Sequence, residues 1–216
     1  KRFNRHTFWC GQSGSGKNYA LGVVLEQLLM HTELPLLILD PNADFVRLKH
    51  TRSDAHPDAV RLFSETDIRV LNSTNGRGER LHTRFLDLSA ASKAAVLQLD
   101  PIADAEEYNV LLHADGDANT WDDAAFLTAL RESDNPSATR LATRIENLQV
   151  LDWELWSRGG ESANDIVDTR PRATVLDLGG FTHPVEPQVA ALSLLEHLWA
   201  NREQRRPVLI VIDEAH

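Results

Sequence analysis

A single cysteine among 216 residues rules out a disulfide within the chain. No run approaches the ~18 apolar residues of a membrane span, and the first residues lack the blocks of a secretory signal. Basic residues are in deficit: 22 Lys and Arg against 32 Asp and Glu give a net charge of −10, which argues against a surface that coats nucleic acid broadly. What is present is ordinary for a globular protein, with 42% apolar and 25% charged residues, enough for one good core with or without a subdomain. The reading is of a cytoplasmic protein with no membrane contact.

Against that background one stretch stands out, Gly11-Gln12-Ser13-Gly14-Ser15-Gly16-Lys17-Asn18. It fits the spacing G-x-x-x-x-G-K, with an apolar run His6 to Cys10 before it and a helical pattern Tyr19 to Met30 after it, so strand, loop and helix are expected in that order. The glycines let successive N–H groups converge on one point, and the helix N-terminus adds its partial positive charge there. Gly11 to Tyr19 are therefore the candidate nucleotide-binding residues, with Lys17 reaching the β- and γ-phosphates. Cys10, at the end of the expected first strand, reads as a packed core thiol.

The far end supplies a matching element. Val208 to Ile212 is an apolar strand that runs into Asp213-Glu214. A carboxylate at the end of a buried strand can hold Mg²⁺ through water, and a neighbouring one can orient and deprotonate an attacking water. Asp213 is the candidate Mg²⁺ residue, and Glu214, with Lys17, a candidate catalytic residue. The position after the lysine, where a Ser or Thr hydroxyl usually ligates Mg²⁺, holds Asn18. Its carboxamide oxygen makes Asn18 the second candidate metal residue. Three readings compete: a working variant, an engineered or natural trap that binds nucleotide but hydrolyses it poorly, and a structural accident, and the sequence does not separate the first two.

Between these ends, Leu34 to Asp40 reads as a strand buried on both faces of a parallel sheet, with Asp40 either near the nucleotide or capping the next turn. Residues 51–64 read as a loop or short helix, and Leu81 to Leu88 as a strand. Ser89 is expected to cap a helix running to Leu99, with further helices opening at Asp100-Pro101, at Thr120 and at Asn135-Pro136. Trp121, Trp153 and Trp156 suit packing of this helical segment onto the core better than base stacking. The loop from His113 to Asn119 lacks the closing Glu of a calcium loop and reads as a solvated turn. Thr174 to Leu178 is a further strand, followed by a helix from Pro187 to Arg205 with Leu192, Leu195 and Trp199 on one face. The fold class is α/β, a P-loop (RecA-like) mainly parallel sheet flanked by helices, with an inserted mainly helical subdomain. The boundaries are 1–88 for the first part of the core, 89–170 for the insertion and 171–216 for the rest.

The closing Asp-Glu-Ala-His invites comparison with DEAH-box helicases, but 196 residues separate Lys17 from Asp213 and the strand-contact motifs are missing. The Ser-Gly-Gly signature of ABC-type ATPases is missing as well. The chain resembles the HerA/FtsK superfamily of ring-forming motor ATPases, in particular the HerA-type branch. The resemblance rests on the phosphate loop, on Asp40-Pro41-Asn42-Ala43-Asp44-Phe45 (similar to Asp-Pro-x-Gly-Glu-Tyr/Phe), on Val175-Leu176-Asp177-Leu178-Gly179-Gly180, and on Val211-Ile212-Asp213-Glu214-Ala215-His216. It implies a homo-oligomer, a hexameric ring binding ATP and Mg²⁺ between subunits and translocating double-stranded DNA, alongside a nuclease or other effector. Lys17, Asp213 and Glu214 carry over as phosphate lysine, Mg²⁺ carboxylate and base. A ring needs positive charge only at its pore, and candidate clusters are Lys1, Arg2 and Arg5, then Arg77, Arg80 and Arg84, then Arg202, Arg205 and Arg206, each of which reads as a solvated surface cluster before a DNA contact. P-loop ATPases of this kind continue from such a strand into another that carries a polar γ-phosphate sensor, so the natural protein is expected to extend past residue 216, and no residue is assigned as sensor or arginine finger. A regulatory ATP-binding switch, or a conjugation or secretion ATPase, would share the same motifs.

Overall fold

The sequence Leu36-Leu-Ile-Leu-Asp40 has no polar alternation, and it forms strand β1 (Leu36–Asp40), buried at every position. Such a strand must be covered on both faces and paired on both edges. In the computed structural model, which describes residues 6–12, 14–73, 78–114 and 123–214, it is. The other strands are β2 (Ile68–Asn72), β3 (Glu79–Arg80), β4 (Ala173–Asp177) and β5 (Leu209–Ile212). The sheet runs β3-β2-β4-β1-β5 with every pairing parallel, so β1 lies between β4 and β5.

The two-residue period of a strand sorts β1 between two cores. Leu36 and Ile38 point to one face, where they meet Leu25, Leu28 and Leu29 of helix α1 (Lys17–His31) and Phe63 of α2 (Pro57–Glu65). Leu37 and Leu39 point to the other, where the helical segment between β3 and β4 packs. That segment comprises α3 (Ala90–Val96), α4 (Ala105–His113), α5 (Asp123–Glu132), α6 (Pro136–Leu148) and α7 (Ala163–Asp168), and α8 (Glu186–Ala200) follows β4. Leu141, Ile145, Phe126 and Trp156 share one buried cluster with Leu37, Leu71 and Leu176 of the sheet. Trp153 and Trp156 are buried and stacked on each other, and Trp156 meets Phe85 edge to face.

Local signals explain the helix starts. Asn135 caps α6 by accepting from Ser137 N at 2.9 Å, with Pro136 at the first helical position. Ser89 caps α3 through Ser92 N, although that helix stops at Val96. The Asp100 carboxylate accepts from Ile102 N and Ala103 N, both at 2.8 Å, holding a turn, so α4 starts only at Ala105.

Four expectations need correction. His6 to Cys10 is not a strand: these residues are exposed and carry no strand assignment, and Cys10 is an exposed thiol rather than a core one. An extended conformation is fixed by a hydrogen-bonded neighbour, and this run has none among the described residues. Leu81 to Leu88 is not a strand either. After β3 it makes one bridge, Thr83 to Trp156, then a 3₁₀ turn at Phe85–Asp87 that drops Phe85 into the core. The strand in this region is β2, before the glycine loop. On α8 the buried face is Val189, Ala190, Ser193 and Leu194, while Leu192 and Trp199 are exposed. Ser193 lies on this face among Val189, Ala190 and Leu194, and its hydroxyl is satisfied there by the buried Thr83 hydroxyl at 2.5 Å.

Candidate functional site

Three adjacent strands bring an aspartate to the same edge of the sheet. Register pairs Asp177 of β4 with Asp40 of β1, and Leu39 with Ile212 of β5, so Asp213 emerges beside Asp40. Asp213 N donates to Leu39 O at 3.1 Å and fixes this alignment. The edge is the carboxyl end of parallel strands, where α/β folds bind ligands. Asp40, fully buried, spends its carboxylate on the turn that follows, accepting from Asp44 N at 3.0 Å and Phe45 N at 2.7 Å. That turn brings Asp44 back over the edge. Asp40 is therefore both a cap and a member of the site.

The phosphate-loop residues lie at the start of α1. Gly14 (φ 77°) and Gly16 (φ 82°) occupy the left-handed region that glycine enters without strain. A Cβ on Gly11 would come within 2.8 Å of Ser15 Oγ and 3.1 Å of Lys17 Cγ, so the loop closes tightly on the lysine. Among the described residues no side chain caps α1, so its first N–H groups face the place an anion would take. Lys17 is half-buried and has no ion-pair partner among the described residues. Gln12 and Ser15 are exposed, as is Tyr19 at 76%, while Ser13 lies outside the described residues. Asn18 joins the two halves: its Nδ2 donates to Asp44 Oδ2 at 2.6 Å, tying the first turn of α1 to the end of β1.

Asp40, Asp44 and Asp213 each place a carboxylate oxygen within 4.8 Å of the others. Burial pushes the Asp213 carboxyl up from its ordinary value, and the neighbouring Glu214, Asp44 and Asp40 charges push the same way against a backbone hydrogen bond. Burial likewise raises Asp40 despite its two N–H donors, and raises Asp177. Asp213 Oδ2 is buried with no hydrogen-bond partner. An all-oxygen anionic set with an unsatisfied buried oxygen suits a hard divalent cation, so these residues fit Mg²⁺. Glu214 follows, exposed and at φ 51°, a backbone state costly for a residue with a Cβ and frequent at functional sites.

Sequence reasoning singled out neither Asp44 nor Asp177 as a site residue. The signal for Asp44 was in the motif itself, since it stands where the related pattern has Glu. Of the basic clusters, Arg84 is engaged with Asp165, the shorter contact being 2.5 Å, and Arg80 lies 3.8 Å from Glu154. Arg202 lies over the Trp199 ring at 4.7 Å. Lys1, Arg2, Arg5 and Arg77 lie outside the described residues, as do Trp121, Thr120, residues 115–119 of the loop read as a solvated turn, and Ala215 and His216. A cleft lined by Leu37, Leu195, Trp199 and Ile210 opens beside α8, and its lining includes Pro35, Pro171 and Pro207 at the amino ends of the strands, away from the phosphate loop.

A search of curated proteins gives no match. No helix among the described residues is long and apolar enough to cross a membrane. The family model described as "Helicase HerA, central domain" matches residues 1–195. That match spans the phosphate loop, the Asp40 to Phe45 turn and β4, the elements that build the carboxylate edge around Asp40. With its all-parallel sheet and glycine loop, the chain belongs to the HerA central-domain family, within the HerA/FtsK class of P-loop ATPases.

Proposed function

We propose that the chain binds ATP at Gly11 to Tyr19 and hydrolyses it as one subunit of a hexameric ring that moves double-stranded DNA, with a nuclease or other effector as partner. The observation that carries the reading is the bond from Asn18 to Asp44, because it draws the phosphate loop up to the edge where Asp213 and Glu214 leave β5. Lys17 contacts the β- and γ-phosphates. Glu214 orients the attacking water and takes its proton. Asp213 would hold Mg²⁺, and Asn18, whose amide is turned to Asp44, holds the Asp44 carboxylate in place. Bound there, the cation would neutralise phosphate charge that the acidic edge otherwise repels. Family membership supports an oligomer that acts on DNA.

The test is ATP hydrolysis by the full-length protein with and without duplex DNA. Stimulation that weakens with rising salt, and its abolition by Glu214→Gln, support a DNA motor. No stimulation at low salt sinks the DNA part of the reading. The engaged amide of Asn18 favours a second reading, a nucleotide-holding switch that hydrolyses poorly. Hydrolysis by Asn18→Thr and not by the natural sequence would establish it.

A further inference from the structure

We infer that Asp40, Asp44 and Asp213 form a divalent-cation site that fills without nucleotide, and that Asn18 acts as its positioning residue through Asp44. In phosphate-loop enzymes the cation ordinarily arrives with the nucleotide, held largely by phosphate oxygens and one hydroxyl. Here the hydroxyl is missing, and three protein carboxylates converge instead, within 4.8 Å of one another. Oxygens on opposite sides of a hard divalent ion lie about 4 to 5 Å apart, so one coordination sphere spans this set.

An acidic cluster alone does not make a site. The independent observation is Asp213, which is 9% exposed and has an Oδ2 buried without a hydrogen-bond donor. A native fold seldom leaves such an atom bare, and a cation is a partner that satisfies it without a donor N–H. The three groups come from different constraints. Asp40 is fixed by two backbone N–H groups, Asp213 by the register of β5, and Asp44 by the Asn18 amide at 2.6 Å. Asn18 thus contributes from behind a ligand, replacing a metal-binding hydroxyl with an orienting hydrogen bond. The inference does not depend on the nucleotide reading, since all three ligands are carboxylates of the chain and water can fill the remaining positions.

The experiment is Mn²⁺ titration of the nucleotide-free, full-length protein, read by loss of the free-ion electron paramagnetic resonance signal, with Mg²⁺ and Ca²⁺ as competitors. One Mn²⁺ per chain is expected. Asp44→Asn weakens uptake by at least about tenfold, and Asn18→Ala by about 10- to 100-fold with the metal-free melting temperature unchanged. Asn18→Gln, which keeps an amide donor, loses less than Asn18→Ala. Asp213→Asn abolishes uptake and raises the metal-free melting temperature, because it removes a buried charge facing two like charges. No uptake without nucleotide, or uptake by Asp44→Asn equal to the natural sequence, overturns the inference. Binding of a fluorescent ATP analogue in chelator separates the two readings. Retained nucleotide binding without Mn²⁺ uptake refutes the cation site alone, and Mn²⁺ uptake without nucleotide binding supports the site while refuting the phosphate loop.

Discussion

Ala43→Gly should stabilise the protein, and the size of the gain can be worked from the turn between Asp40 and Phe45. Ala43 sits at φ 59°, where its Cβ crowds the following carbonyl. That conformation costs an L-residue roughly 1–2 kcal/mol, a cost glycine does not bear. Glycine gives back about 0.4–1 kcal/mol through the greater freedom of the unfolded chain. Ala43 is exposed, so no packing is lost with its methyl. The net gain is about 0.5–1 kcal/mol, and for a chain of this size about 1–4 °C in melting temperature. Calorimetry of the metal-free protein is the assay. The β-branched Ala43→Val should move the other way, since it adds crowding at the same φ. An unchanged or lower melting temperature in Ala43→Gly would refute the claim that this turn is strained. The turn aims Asp44 at Asn18, so the position links backbone strain directly to the site.

Other tests address separate links. Gly11→Ala puts a Cβ within 2.8 Å of Ser15 Oγ, which can rotate away, and 3.1 Å of Lys17 Cγ, which must give by a few tenths of an ångström, so ATP-analogue binding should weaken measurably with little change in melting temperature. Trp156→Ala removes a 2%-exposed ring and the 2.6 Å bond from its Nε1 to Val150 O, and should cost about 3–5 kcal/mol in urea unfolding. Glu196 carries a pH signature. Burial alone would raise its carboxyl, but donors from Ser89 N, Ser92 Oγ and Ser89 Oγ, with Lys93 nearby, hold it below its ordinary value. Its folded value is depressed, so its stabilising contribution is present above the unfolded value and is lost as pH falls through the folded one. The gap in urea midpoint between the natural sequence and Glu196→Gln should therefore narrow on acidification, and a gap that widens contradicts the assignment.

How far the sequence could be read depended on whether neighbours or local chemistry decided each element. β1 was legible because four consecutive apolar residues leave no solvated face, and α6 because Asn135-Pro136 determines its own start. The phosphate loop was legible because glycine spacing encodes backbone shape, and Asp213 because it closes an apolar strand. Residues 6–10 hold Phe8, Trp9 and Cys10 in a row but begin with His6 and Thr7, and composition cannot say whether a neighbouring strand is there to pair with them. On α8, Leu192 and Trp199 draw a hydropathy reading to one side, yet the side that turns inward carries Val189, Ala190 and Leu194 with Ser193, whose hydroxyl finds a buried partner in Thr83. For Asp44 the motif offered the position but not the partner. Its place in the site is set by Asn18, 26 residues away, and no local pattern encodes that contact.

The outer edge of β5 has a consequence for handling. Among the described residues nothing pairs with it, and Ile210 and Ile212 beside it are 38% and 50% exposed. Where no further strand covers it, a row of amide and carbonyl groups flanked by half-bare isoleucines is a template for any extended chain that drifts past, including another molecule's flank. Expressed by itself, the 216-residue chain should therefore self-associate more as concentration rises, and salting-out anions should hasten it. A lysine at position 212 would add a charge that makes stacking at this flank unfavourable and should keep concentrated samples clear.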